Sequence, residues 1–124
     1  MTDTLTPKQS VSPEIYIGLH DSTKADIHLA RFNWINIIVC DYFKISPHKV
    51  KETSRKREVV KVRQIAMYLM AKHSKITLKN IGEHFGGKNH STVIYAKQTV
   101  EDLMDSDKKY KADVLAIEQL LKLN

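Results

Sequence analysis

Apolar residues recur at helical spacing through most of this chain, and the places where the spacing fails divide it into elements. From about Thr23, the residues Ile27, Ala30, Trp34, Ile38 and Phe43, with Ile35 and Tyr42 beside them, trace a stripe that is apolar on more than one side. This predicts a first, largely buried helix. The segment Ile45-Ser46-Pro47-His48 breaks it, because Pro47 has no amide proton to donate and pushes Ser46 out of helical geometry. After a polar, basic loop over residues 53–57, Val59, Val62, Ile65, Ala66, Leu69 and Met70 recur at offsets of three and four, with Lys61, Gln64, Tyr68 and Lys72 on another side. This is the most amphipathic helix in the sequence.

Thr77 is a suitable N-cap for a short helix carrying Leu78, Ile81, Gly82 and Phe85, which Gly86-Gly87 ends, since glycine takes the left-handed conformation of a C-cap without steric cost. Asn89 can cap the next helix, with a stripe of Val93, Ala96, Val100, Leu103 and Met104. A last helix, roughly Lys108 to Leu121, carries Val114, Ile117, Leu120 and Leu121. Residues 1–22 show little periodicity apart from Ile15, Ile17 and Leu19, and are read as a poorly ordered tail before a domain over 23–124. The expected fold is all-α.

Composition narrows the classes of function. At 124 residues, 42% of them hydrophobic and 27% charged, the chain has room for one globular core but not for an additional catalytic domain. The single cysteine, Cys40, lies in an apolar stretch and reads as a reduced thiol packed as a small hydrophobe. No stretch reaches the ~20 apolar residues of a membrane helix and the first residues do not form a signal peptide, so a cytoplasmic protein with no membrane partner is expected.

The net charge of +6 is unevenly placed. Residues 1–48 carry −1 and residues 101–124 carry −2, whereas residues 49–63 carry +5 and residues 64–100 carry +4. A concentrated positive field of this kind suits a polyanion, with nucleic acid the commonest one.

Residues 77–104 have the layout of a helix-turn-helix: a short helix, a glycine turn, and a longer helix whose first turn holds Asn89, His90, Ser91 and Thr92. In that motif the start of the second helix enters the major groove, where short or planar hydrogen-bonding groups read base edges. The competing reading is that Asn89, Ser91 and Thr92 only cap the helix and that His90 is an ordinary surface histidine. Lys88 in the turn and Tyr95 one helical turn on could meet phosphates, and Arg55, Lys56 and Arg57 form a basic loop whose arginines could enter an A·T-rich minor groove. A solvated charge cluster would account for the same run.

The stretch from Arg57 through Lys61, Arg63-Gln64-Ile65-Ala66-Met67 to Leu69, followed by Leu78 to Val93 with its Phe85-Gly86-Gly87-Lys88-Asn89-His90-Ser91-Thr92-Val93 turn, closely resembles the C-terminal DNA-binding domain (domain IV) of the bacterial replication initiator DnaA. The likeness runs from about Ile35 to Leu121. It implies a Trp-repressor-like helix-turn-helix bundle that binds a short asymmetric A/T-rich box in double-stranded DNA as a monomer. By position, it assigns base contacts to Arg55 in the minor groove and to Asn89, His90 and Ser91 in the major groove. Backbone or supporting contacts would fall to Arg57, Lys61, Arg63, Gln64, Lys72, Thr77, Leu78, Lys79, Lys88, Thr92 and Tyr95.

Several positions depart from the family's pattern. An aspartate is usual where Asn89 stands, and asparagine can instead pair in bidentate fashion with adenine N6 and N7. Val62 and Lys79 replace usual prolines, and Ala71 replaces a lysine that the adjacent Lys72 could substitute. Nothing matches the phosphate-binding pattern G-x-x-x-x-G-K-[ST], so no nucleotide, no cofactor and no ATP hydrolysis are expected. His73, His84 and His90 lack Cys or carboxylate partners at zinc spacing, and no nucleophile or paired-carboxylate arrangement suggests an enzyme. The second functional reading is a protein-interaction module, using the N-terminal region or apolar surface around Phe32 and Trp34 on a helix-turn-helix scaffold.

Overall fold

The computed structural model describes residues 24–52 and 54–122. The tail over residues 1–22 and the side chain of Ile27 lie outside the described residues. Among the described residues six helices follow in order: α1 (Lys24–Phe43), α2 (Pro47–Lys51), α3 (Arg57–His73), α4 (Leu78–His84), α5 (His90–Ser106) and α6 (Lys108–Lys122). No strand occurs among the described residues. The bundle is all-α, as the periodicity predicts.

The proline expected to break α1 does so and also opens α2. Ser46 is extended, with φ −65° and ψ 134°, and its hydroxyl accepts from the His48 amide, while Pro47 occupies the first helical turn where no donor is required. One physical effect therefore ends one helix and starts the next. Between them Lys44 adopts φ 58°, and the Ile45 amide reaches back to the Cys40 carbonyl at 3.0 Å to close the end of α1.

Helix α3 lies at the centre, packing against α1, α2, α4 and α5. Val59, Val62, Ile65, Ala66, Leu69 and Met70 are buried as expected, but so are Arg63, Met67 and Tyr68. A central helix has neighbours on more sides than an amphipathic pattern anticipates. Phe32 of α1, whose exposure would have favoured the protein-interaction reading, is fully buried against the His84 and Phe85 rings, at centroid distances of 4.3 and 5.1 Å. Trp34 also packs against the core. The apolar surface that would have favoured a protein-docking role is not found there. Cys40 is buried, donates towards Asn36 Oδ1 at 3.6 Å, and has its thiol pushed up to about 11 by burial, against a smaller lowering by Lys51.

Helix α6 is tied to the rest by two buried carboxylates. Asp113 accepts from the Tyr42 hydroxyl of α1 at 2.9 Å and from Lys109 at 3.1 Å. Glu118 accepts from Lys72 at 2.8 Å and meets His73 Nε2 at 2.7 Å, joining α6 to the end of α3. Burial by itself would raise the Glu118 carboxyl, but the hydrogen bonds and charges of Lys72 and His73 outweigh it and hold the group below its ordinary value of 4.5.

Because Glu118 titrates lower folded than unfolded, its contribution to stability is present above about pH 4.5 and is lost as the pH falls through its folded value. Denaturant unfolding across pH should show the gap between the wild type and Glu118→Gln closing on acidification. At Gly82, an added Cβ would lie 2.1 Å from the Lys88 carbonyl oxygen, a backbone atom that cannot swing aside. Gly82→Ala should therefore cost about 3 kcal/mol or more in the same measurement. Gly87→Ala, at φ +75° with open space around it, should cost only about 1 kcal/mol.

Candidate nucleic-acid interface

The helix-turn-helix is built from its caps inwards. Thr77 is extended, and its Oγ1 accepts from the Asn80 amide at 3.1 Å to start α4. Ile81 and Gly82 face the core, and the Gly82 carbonyl accepts from both Phe85 at 3.1 Å and Lys88 at 2.9 Å. Gly86 turns the chain at φ +85°, where an added Cβ would lie 2.6 Å from the Lys51 carbonyl oxygen, so the turn rests on the end of α2. Asn89 then caps α5, its Oδ1 accepting from the Thr92 amide at 3.0 Å and from the Thr92 hydroxyl at 3.2 Å.

Burial sorts α5 into two faces. Val93, Ala96 and Val100 turn inwards, while Asn89, His90, Ser91, Thr92, Ile94 and Tyr95 are exposed, Tyr95 to 67%. Leu103, expected on the apolar stripe, is exposed instead, because the stripe drifts off the core near the end of the helix. Ile94 joins the outward row without having been singled out by the sequence pattern. It is an exposed isoleucine one turn from His90, and its place off the Val93–Ala96–Val100 stripe is the signal that could have found it.

The basic loop lies between α2 and α3. Arg55, Lys56 and Arg57 are all exposed. Arg55 and Arg57 line a groove with Val60, Lys61 and Gln64 of α3 and with Leu103, Asp107 and Tyr110 where α5 passes into α6. Along α5, Leu103 stands roughly 20 Å from His90 at about 1.5 Å per residue. The loop arginines and the α5 amino end thus occupy opposite ends of one helix.

Arg63, assigned by position to the DNA backbone, is turned inwards and is 6% exposed. Its Nε donates to the Val50 carbonyl at 2.8 Å, and its Nη2 donates to the carbonyls of Glu52 at 2.8 Å and Ser54 at 3.1 Å. These oxygens belong to the end of α2 and the segment just before Arg55. A guanidinium offers several fixed donors, which suits it to collecting carbonyls that no helix satisfies. Burial lowers its pKa.

The other predicted residues divide by exposure. Thr77 and Lys79 are exposed at the start of α4, and Leu78 and Lys88 are half-buried on either side of the turn. Lys61 lies over the Phe43 ring at 4.9 Å and near Asp113 at 4.0 Å, and Gln64 is half-buried beside the groove. Lys72 is held by Glu118 and stands over the Tyr68 ring at 5.7 Å, with its pKa raised first by the Glu118 hydrogen bond. Among the described residues no group of three or more His, Cys, Asp or Glu is arranged to hold a metal, and no helix is long and apolar enough to cross a membrane.

Comparison with known proteins gives this geometry a context. A family model described as the bacterial dnaA protein helix-turn-helix matches residues 33–100, more than half of the chain. The chain is 39% identical over 104 residues to the chromosomal replication initiator protein DnaA of Bacteroides thetaiotaomicron, covering 84% of this chain and 21% of that protein. It is 38% identical over 87 residues to that of Trichormus variabilis, covering 70% and 19%, and 44% identical over 71 residues to that of Thermus thermophilus, covering 57% and 16%. The chain thus spans about a fifth of the length of the curated relatives it matches.

Replacing Arg63 by Met removes three hydrogen bonds from a charged donor and leaves carbonyls near the loop without partners. The variant should lose about 3 kcal/mol by denaturant unfolding, and amide exchange at residues 50–56 should quicken more than in α5. An unchanged exchange pattern would count against a structural role for this arginine.

Proposed function

This chain belongs to the bacterial DnaA helix-turn-helix family, and on that premise we propose that it binds double-stranded DNA sequence-specifically at a short A/T-rich box of the DnaA type. The observation that carries the reading is the outward row at the amino end of α5. Asn89, His90, Ser91 and Thr92 are exposed while Val93, Ala96 and Val100 anchor the same helix to the core. Asn89, His90 and Ser91 act on base edges in the major groove, and Ile94 or the Thr92 methyl can touch a thymine methyl. Free amides at the start of α5 favour a phosphate oxygen nearby.

Arg55 enters the adjacent minor groove. A turn of B-DNA is about 34 Å, so successive major and minor grooves on one side lie about 17 Å apart. The roughly 20 Å between the two ends of α5 is commensurate with that step. Lys79, Lys88, Arg57, Thr77 and Tyr95 are available to phosphates around the two grooves, with Lys61, Gln64, Leu78 and Lys72 beside them. Arg63 acts from within, by holding the loop that carries Arg55.

The protein works by binding, without catalysis, and regulates replication initiation or transcription at such boxes. No nucleotide is required.

Binding should weaken steeply with salt, since each neutralised phosphate contributes about −0.9 to the slope of log K against log salt; a titration of the full chain on a box-containing duplex should give a slope steeper than about −3. Arg55→Ala should weaken binding by about 1–2 kcal/mol, mostly on duplexes with A/T-rich flanks. Equal affinity for the box and for a scrambled duplex of the same composition would overturn sequence-specific recognition.

A further inference from the structure

The amide of Asn89 is the group in the outward row whose orientation the fold dictates. Its Oδ1 faces the Thr92 backbone N–H at 3.0 Å, and a backbone N–H can only donate. Turning the amide over would set Nδ2 against that donor and break the cap of α5, so the orientation is fixed by hydrogen-bond polarity. The Thr92 hydroxyl takes the second lone pair of the same oxygen at 3.2 Å. Both acceptor sites of the side chain are therefore occupied within the protein. What the exposed residue has left is Nδ2, which offers two donors, no acceptor, and makes no hydrogen bond among the described residues.

This changes what the residue can recognise. The bidentate pairing of asparagine with adenine requires the amide to accept from N6 while donating to N7. Here the acceptor is already committed. We propose that Asn89 reads DNA as a donor only and selects guanine, and so a G·C pair, at one position of the site. Guanine O6 and N7 present two adjacent acceptors to the two Nδ2 protons, and thymine O4 presents one. Adenine also presents one, N7, but with its N6 amino group beside it set donor against donor, and cytosine presents only an amino group. The inference rests on the major-groove placement of α5 given above, and concerns the polarity of one contact within it.

Substitutions that keep the cap isolate this polarity. Aspartate and serine are N-caps comparable with asparagine, so Asn89→Asp and Asn89→Ser should fold with melting temperatures close to that of the wild type. Asn89→Asp retains one oxygen for Thr92 and turns the outward donor into an acceptor. Asn89→Ser retains the cap and removes the outward amide.

The full chain and both variants are used to select from a randomised duplex pool, and the preferred duplex is then measured with all four bases at each position. The pair that Asn89 reads is the one whose preference flattens in Asn89→Ser. At that pair the wild type should favour G·C over A·T by about fivefold, the effect of one hydrogen bond, and Asn89→Asp should change the preferred pair, by reversing it to C·G or by moving it to A·T, with the other positions unchanged. A wild-type preference for A·T at that pair in either orientation, or an identical preference in Asn89→Asp, overturns the donor-only assignment while sequence-specific binding stands. A wild type that selects no sequence at all overturns the major-groove function itself, and the two failures are thereby distinct.

Discussion

The approach of α4 to α5 leaves no space for a side chain at residue 82, and this contact governs how the rest of the site is presented. An added Cβ there would meet the carbonyl oxygen of Lys88 at 2.1 Å and that of Asn89 at 3.2 Å, both backbone atoms. The Gly82 carbonyl also accepts the Lys88 amide at 2.9 Å, so one residue sets both the spacing and the register of the two helices. With Lys88 held there, Asn89 arrives in extended geometry at the start of α5, and Val93, Ala96 and Val100 turn towards the core. The outward row is what the helix has left once those three are buried.

Positive charge in this molecule is divided between groups held by the fold and groups left exposed. Arg63 is consumed internally, satisfying carbonyls at the end of α2 and in the loop, and Lys72 is held by Glu118 across to α6. Arg55, Lys56, Arg57 and Lys79 remain exposed. A buried guanidinium that gathers backbone oxygens constrains the chain beside it more than a surface cation would, because each carbonyl left unpaired in the interior carries a desolvation cost. The exposed arginines therefore project from a braced loop, which suits recognition that depends on a fixed distance between two contacts.

Capping and recognition at Asn89 are rival readings in the sequence, and the structure shows the cap while leaving the amide nitrogen exposed. The oxygen serves the cap and the nitrogen is left outward. On the proposed reading, the hydrogen bond that starts the helix also limits what the residue can offer to a base.

The elements were legible before any coordinates: the caps Thr77 and Asn89, the glycine turn, the all-helical class and the family likeness are written in local patterns of a few residues. Hydrophobic spacing also identified most of the core, because a residue's periodic neighbours share its face. Local pattern could not give the fate of Arg63, since its carbonyl partners lie 9 to 13 residues away. Nor could it give the burial of Phe32, Tyr68, Asp113 and Glu118, or the exposure of Ile94 and Leu103, which depend on which helices meet across the bundle. Those are decided by contacts between elements, where the desolvation of a charge or a ring is settled by neighbours that are remote in the chain.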